Sequence, residues 1–307
     1  MKVTVILCTY NRSERLRRAL QSLESSAVPE SVDWQVLVVD NNSQDDTRSV
    51  IQGFCARGHD KFRYLFESRQ GKSFALNTGI REAGGDILAF VDDDVEVDQF
   101  WLARLTSTLQ NGLWAGAGGR ILPEQGFAPP PWLNKDEKNA LAPLALFDLG
   151  EEAGELHEAP FGTNMAFRRK MFEKYGGFRV DLGPQPGSEI RNEDTEFGLR
   201  LLAAGERFWY EPAAIVYHAM PAERIRQRYF LDWWFDKARA DIRQYGVPQD
   251  TRWRIAGIPA YLFRRLIRWG TLSVLNFEAS SRFTCKTKLW SITGAIVECY
   301  QQSHRGD

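Results

Sequence analysis

The chain has 307 residues, a formal net charge of −1, 43% hydrophobic and 26% charged residues, which is enough to bury a sizeable core and too ordinary for a disordered, fibrous or disulfide-scaffold protein. The charge is uneven, with 15 Lys/Arg against 8 Asp/Glu from residue 221 onward and 24 against 32 before it. An acidic body without a recognised basic module argues against nucleic-acid binding. The basic tail suits an anionic membrane surface or a phosphorylated substrate, or is simply a solvated helix face.

In chain order, apolar β-branched runs alternate with amphipathic stretches: "KVTVILC", then 13–25, "WQVLVVD", then 45–56, "FRYLF", then 72–83, and "DILAFVD". Near-continuous apolar strands separated by helices predict an α/β fold of nucleotide-binding type, with a parallel sheet covered on both faces. Beyond residue 110, "WAGAGGRILP" and "APFGTNMAFRR" read as strands and "PEQGFAPPPWLNKDEKN" as a surface loop. "NEDTEFGLRLLAAG" reads as a helix, with Asn192 as N-cap and Gly205 as its stop. Residues 221–304 are mostly helical, and Pro248 and Pro259 are expected to divide them into three helices. Cys8, Cys55, Cys285 and Cys299 lack metal-ligand spacing and read as reduced cytosolic thiols. The opening apolar run is too short for a signal peptide, and Arg264, Arg265 and Arg268 interrupt the best membrane-span candidate.

The strand ends carry the chemistry. "ILAFV" runs straight into Asp92, Asp93 and Asp94, where open parallel sheets bind ligands. Carboxylates there suit Mg²⁺ or Mn²⁺ sharing a diphosphate, and Asp92 and Asp94 are better placed than adjacent residues to share one ion. A calcium loop is excluded, because its sixth position is Val97 and its twelfth Ala103. The first strand leaves through Thr9, Tyr10, Asn11 and Arg12, and the second through Asp40, Asn41 and Asn42, where a carboxylate can accept from a base imide or a ribose hydroxyl. A solvated acidic turn and helix capping stay open as alternatives at each end.

The stretches "VTVILCTYNRSERLRRALQSL", "VLVVDNNSQDDT", "GKSFALNTGIREAGGDILAFVDDDV", "FGTNMAFRRKMFEKYGGF" and "NEDTEFGLRLLAAGERFWYEPAAIVYH", in that order over about residues 3–218, resemble family 2 glycosyltransferases of the GT-A fold. The resemblance implies a GT-A type nucleotide-binding fold, a mostly parallel central sheet flanked by helices, as a catalytic domain over 1–220. A basic, aromatic-rich helical C-terminal extension would follow over 221–307. It also implies transfer of a sugar from a nucleoside-diphosphate sugar, UDP-sugar favoured, to an acceptor hydroxyl, metal-dependent and inverting, in bacterial surface polysaccharide or glycoconjugate assembly.

By that resemblance, Thr9, Tyr10 and Asp40 contact the base and ribose, with Asn11, Arg12, Asn42 and Lys72 nearby. Asp92 and Asp94 correspond to the DxD signature and Asp94 ligates Mg²⁺ or Mn²⁺, while Asp93 contacts ribose or sugar. Asp194 is the general base with Glu193 beside it, His218 a further metal ligand, and Gly162, Thr163 and Asn164 lie near the transferred sugar and acceptor. A glycan or lipid-linked acceptor implies a cytoplasmic chain, associated peripherally with the inner face of the plasma membrane. Processive synthases of the family add multiple membrane helices, and the sequence has no uninterrupted apolar run of about 20 residues, which argues against polymer extrusion by this chain. A sugar nucleotidyltransferase is the alternative enzyme, although "CTYNRSER" has no glycine. A non-catalytic sugar-nucleotide-binding protein is the third reading.

Overall fold

A computed structural model describes residues 1–57, 60–134, 139–247 and 253–304. The alternation of the first hundred residues becomes β1 (Lys2–Thr9), α1 (Ser13–Glu24), β2 (Asp33–Asp40), α2 (Thr47–Arg57), β3 (Phe62–Phe66), α3 (Lys72–Glu82) and β4 (Ile87–Asp92). There follow β5 (Val95–Val97), α4 (Trp101–Ser107), β6 (Gly116–Pro123), β7 (Gly154–Leu156), β8 (Asn164–Arg168), α5 (Arg169–Tyr175), α6 (Glu193–Ala203) and β9 (Phe208–His218). Among the described residues these form one nine-stranded sheet in the order β3-β2-β1-β4-β8-β6-β9-β5, with β7 also on β9.

The pairings β1–β2, β2–β3, β1–β4 and β6–β9 are parallel, while β8 enters antiparallel between β4 and β6, and β5 and β7 lie antiparallel to β9. The sheet is therefore mostly parallel, with the β8, β5 and β7 strands reversed. Strands β1 and β4 are buried almost end to end, and β2 from Val36 to Asp40, as expected where helices cover both faces. An aromatic cluster fixes α6: Phe197 stacks on Phe172 with centroids 4.5 Å apart and meets Phe167 and Phe178 edge-on or tilted.

The chain divides into two compact units. The first comprises Met1–Gln125, Ala145–Val180 and Glu193–Ala219; the second comprises Gly126–Leu144, Asp181–Asn192 and Met220–Asp307. Residues 126–144 and 181–192, which the sequence reading put in a 1–220 domain, thus group with the C-terminal helices. The reason is packing: Trp132 lies against Phe230 and Phe283, and Leu182 and Ile190 are buried with Ala240.

The second unit contains α7 (Gln227–Tyr245), the short hairpin β10 (Arg254–Ile255) and β11 (Ile258–Pro259), α8 (Ala260–Leu275) and α9 (Ala279–Ser303). Three helices form as expected, but their second break falls elsewhere. Pro259 sits at the entry of α8, and α8 ends at Leu275, before Asn276, whose backbone is extended. Pro248 and residues 135–138 of the proline-rich loop lie outside the described residues. Asn192 does not cap α6. Its side-chain amide donates to Asp241 and Gln244, and the N–H of Thr195 is taken by Asp194 Oδ1 instead. Among the described residues no helix is long and apolar enough to cross a membrane.

Candidate active site

Parallel register brings the polar strand ends into line: Thr9 pairs with Asp40, Cys8 with Asp92, and Asp40 with Phe66. Asn11 then ties the first turn to the second at a positive φ of 51°. Its N–H donates to Ser43 Oγ at 3.0 Å, and its Oδ1 accepts from the N–H of Gln44 at 2.7 Å. Asp40 is buried and accepts from the N–H of Ser43 at 2.9 Å and from Tyr64 Oη at 3.1 Å. Tyr10 is half-buried where β1 ends, and Asn42, at a φ of 66°, forms the bend after β2.

Asn41, noted only as a strand-end residue, has a larger role. Its amide donates to the carbonyls of Glu67 and Arg69 and its Oδ1 accepts from the N–H of Gly71, so it fixes the loop that delivers Lys72 to the start of α3. Buried Glu67 braces the same loop by accepting from Arg69 and from Thr78 Oγ1. Burial opposes ionisation of Glu67, but Arg69 and Thr78 hold its pKa down at about 2. Neither Glu67 nor Tyr64 carries a motif that marks it in the sequence.

The three aspartates face different partners. Asp92 accepts from Lys72 Nζ at 2.6 Å and from Thr163 Oγ1 at 2.8 Å. Burial pushes the Asp92 carboxyl up, yet Lys72 outweighs it and holds the group below the usual carboxylate range. Asp93 and Asp94 share Arg12, whose Nη1 lies 2.9 Å from Asp93 Oδ1 and 3.2 Å from Asp94 Oδ2. Asp93 is the main cause of the raised Arg12 pKa, against the cost of burial.

The chain turns back at Asp93–Asp94 so that β5 can pair with β9, starting at Val95 opposite His218. This register brings buried His218 Nε2 to 3.2 Å from Asp94 Oδ1, while the N–H of Ala219 donates to the Asp94 carbonyl at 3.0 Å. Asp94 and His218 together offer a carboxylate oxygen and an imidazole nitrogen side by side, a donor set that suits Mn²⁺ and similar divalent ions. Among the described residues no three His, Cys, Asp or Glu side chains form a group able to hold a metal. The fit is therefore to an ion that takes its remaining ligands from a diphosphate and water.

Lys72 links this end of the sheet to α6, since the same ammonium lies 3.6 Å from Glu193 Oε1. Burial raises the Glu193 pKa to about 7, with Lys72 lowering it and Asp194 raising it. Asp194 is oriented by two backbone donors, the N–H of Gly162 to Oδ2 and the N–H of Thr195 to Oδ1, both at 2.6 Å. A Cβ on Gly162 would stand 2.9 Å from Asp194 Oδ2, so glycine there makes room for the carboxylate.

Asn164 does not present its side chain to a sugar. Fully buried, it accepts from Trp101 Nε1 and donates both amide hydrogens, to the carbonyls of Arg120 and Ala214, each at 2.8 Å. Its side chain cross-links α4, β6 and β9. Gly119 leaves the space it needs, because a Cβ there would meet Asn164 Nδ2 at 2.6 Å.

The family model described as "Glycosyl transferase family 2" matches residues 4–176. The succinoglycan biosynthesis protein ExoM of Rhizobium meliloti (strain 1021) is 28% identical over 225 residues, 73% of this chain and 69% of its own length. The GalNAc(5)-diNAcBac-PP-undecaprenol beta-1,3-glucosyltransferase of Campylobacter jejuni subsp. jejuni is 30% identical over 184 residues, 59% of this chain and 58% of its own. Among solved structures, the mannosyltransferase PcManGT from Pyrobaculum calidifontis in complex with GDP-Man and Mn²⁺ is similar with a TM-score of 0.59 at 21% identity, covering 96% of this chain and 73% of that one. At such identity the likeness concerns the fold.

Proposed function

This chain belongs to glycosyl transferase family 2 and is a glycosyltransferase of the GT-A fold, and on that premise we propose that it moves a sugar from a nucleoside-diphosphate sugar, UDP-sugar favoured, to an acceptor hydroxyl with inversion. One observation supports the reading above all: Lys72 Nζ lies 2.6 Å from Asp92 and 3.6 Å from Glu193, so a single ammonium joins the acidic strand end to the start of α6. That span is small enough for a single sugar to bridge.

In this reading Thr9, Tyr10 and Asp40 hold the base and ribose, with Asn11 and Asn42 shaping the turns around them. Arg12 and Lys72 lie beside the diphosphate and Asp93 beside the ribose or sugar. Asp92, held by Lys72 and Thr163, orders the donor side, and Asp94 with His218 would hold Mg²⁺ or Mn²⁺. When bound, the ion offsets charge that grows on the departing diphosphate. The acceptor oxygen forms its bond to the anomeric carbon as the bond to the diphosphate breaks, and the diphosphate leaves with the electron pair. Asp194, aimed by the N–H groups of Gly162 and Thr195, takes the acceptor proton. Glu193 stays beside it as a buried partner of Lys72.

The acceptor is taken to be a lipid-linked glycan in surface polysaccharide or glycoconjugate assembly, which brings the chain peripherally to the inner face of the membrane. The names of the Rhizobium and Campylobacter relatives support that class of pathway. A panel of nucleoside-diphosphate sugars offered with Mg²⁺ or Mn²⁺ tests the reading through slow donor hydrolysis, which needs no acceptor. Selective hydrolysis of one donor is expected. No release of nucleotide from any donor, with acceptors present or absent, overturns it.

A further inference from the structure

Helix α8 buries one side and leaves the other open. Leu262, with Leu266 and Trp269, packs toward Ile258, Ile292, Ala295, Ile296 and Cys299. The opposite stripe holds Arg264, Ile267, Arg268, Thr271, Val274 and Leu275, all exposed, at the spacing of one helical face. Ile267 is 70% exposed, Val274 78% and Leu275 61%, and in the turn to α9 Phe277 reaches 95%. The aromatic residues of α7 differ. Phe230 is buried against Trp132 and Phe283, which accounts for α7 within its own unit and leaves the α8 stripe without such a role.

Charge and apolar surface are ordered along this face. Arg264, Arg265 and Arg268 stand toward the start of α8, and Val274, Leu275 and Phe277 form its far tip, with Arg282 exposed just after the turn. A helical rise of about 1.5 Å per residue separates the arginines from the tip by roughly 10 Å. That is about the depth from lipid headgroups to acyl chains reached by interfacial helices. Glu278 is the acid in the turn, and its carboxylate accepts from Ser280 and Ser281.

We infer that the α8–α9 turn is a membrane wedge: Val274, Leu275 and Phe277 enter the acyl region of an anionic bilayer while Arg264, Arg265 and Arg268 pair with its phosphates. This deepens the peripheral membrane association proposed above and rests on it. Charge complementarity selects the occupant. Helix α8 carries no acidic residue, so the same face of a second copy offers the three arginines no carboxylate to pair with, whereas an anionic leaflet attracts each of them. The turn also ends the helix before any span could form, which fits shallow entry.

The test is cosedimentation of the full chain with vesicles of phosphatidylcholine, with and without phosphatidylglycerol. Binding to the anionic vesicles is expected, weakened by salt. Phe277→Ser and Leu275→Ser should each weaken it about tenfold, as loss of one buried apolar side chain implies. Arg264→Gln, Arg265→Gln and Arg268→Gln together should weaken it on the order of a hundredfold. Unchanged thermal melting shows that the variants are folded, and donor hydrolysis is read separately, so failure of docking and failure of the enzymatic reading are distinguishable. Three results overturn the wedge: a wild-type chain that stays in the supernatant, vesicle binding indifferent to all five substitutions, or a solution dimer that Phe277→Ser splits.

Discussion

Gly162 donates its backbone N–H to Asp194 Oδ2 at 2.6 Å, which makes the loop before β8 the clamp that aims the acid at the start of α6. Adding a methyl group at residue 162 would crowd Oδ2 to 2.9 Å and force the carboxylate aside. Gly162→Ala is expected to lower kcat by about 10- to 100-fold, the scale of a misplaced catalytic group, with donor KM little changed. Equal changes in kcat and donor affinity would point to collapse of the donor site instead.

Removing the base itself should be more severe. Asp194→Asn keeps the shape of the side chain but lacks the basicity to take a proton, so turnover should fall by roughly 10²–10⁴-fold. Donor affinity measured by calorimetry should stay near wild type. Turnover within tenfold of wild type removes Asp194 from the role.

Arg12 holds Asp94 Oδ2 at 3.2 Å on one side while His218 approaches Oδ1 at 3.2 Å on the other. Mn²⁺ binding without donor, followed by electron paramagnetic resonance, should therefore weaken in Asp94→Ala and His218→Ala. It should strengthen severalfold in Arg12→Gln, which removes a competing cation. Identical Mn²⁺ affinity in all three chains would separate this pair from the metal.

Glu193 gives a pH signature. Its pKa, raised by burial from 4.5 to about 7, means that the folded chain binds a proton there which the unfolded chain has released. Stability from this group is therefore full below about pH 4.5 and is lost as pH rises toward 7, by about 3 kcal/mol at most. In Glu193→Gln, chemical denaturation between pH 5 and 7 should show a flatter dependence than in wild type, within about that range. An unchanged slope would mean the proton resides elsewhere.

Asn164 should behave as a structural residue. Asn164→Ala strands the Trp101 indole N–H and the carbonyls of Arg120 and Ala214, and should lower stability by about 2–4 kcal/mol. At a temperature where it is folded, its donor KM should match wild type. A raised KM with normal melting would return Asn164 to the sugar site.

Local sequence was enough to reveal the alternating strands and helices, the acids at the ends of β2 and β4, and the acidic opening of α6, because these depend on side-chain periodicity and on which residues can end a strand. Asp40 lies beside Thr9, and Asp92 beside Cys8, as a parallel sheet requires. The sequence could not show how neighbouring acids divide their partners. Asp92 goes to Lys72 and Thr163, while Asp93 and Asp94 go to Arg12, and Asp94 meets His218 only through the pairing of β5 with β9. The split between Asn164 and Gly162 was equally hidden: both stand in "FGTNM", but one faces the core and the other faces Asp194. Composition and period decide what each segment becomes; strand register and long-range packing, which join residues as distant in sequence as Asp94 and His218, decide which side chains can touch.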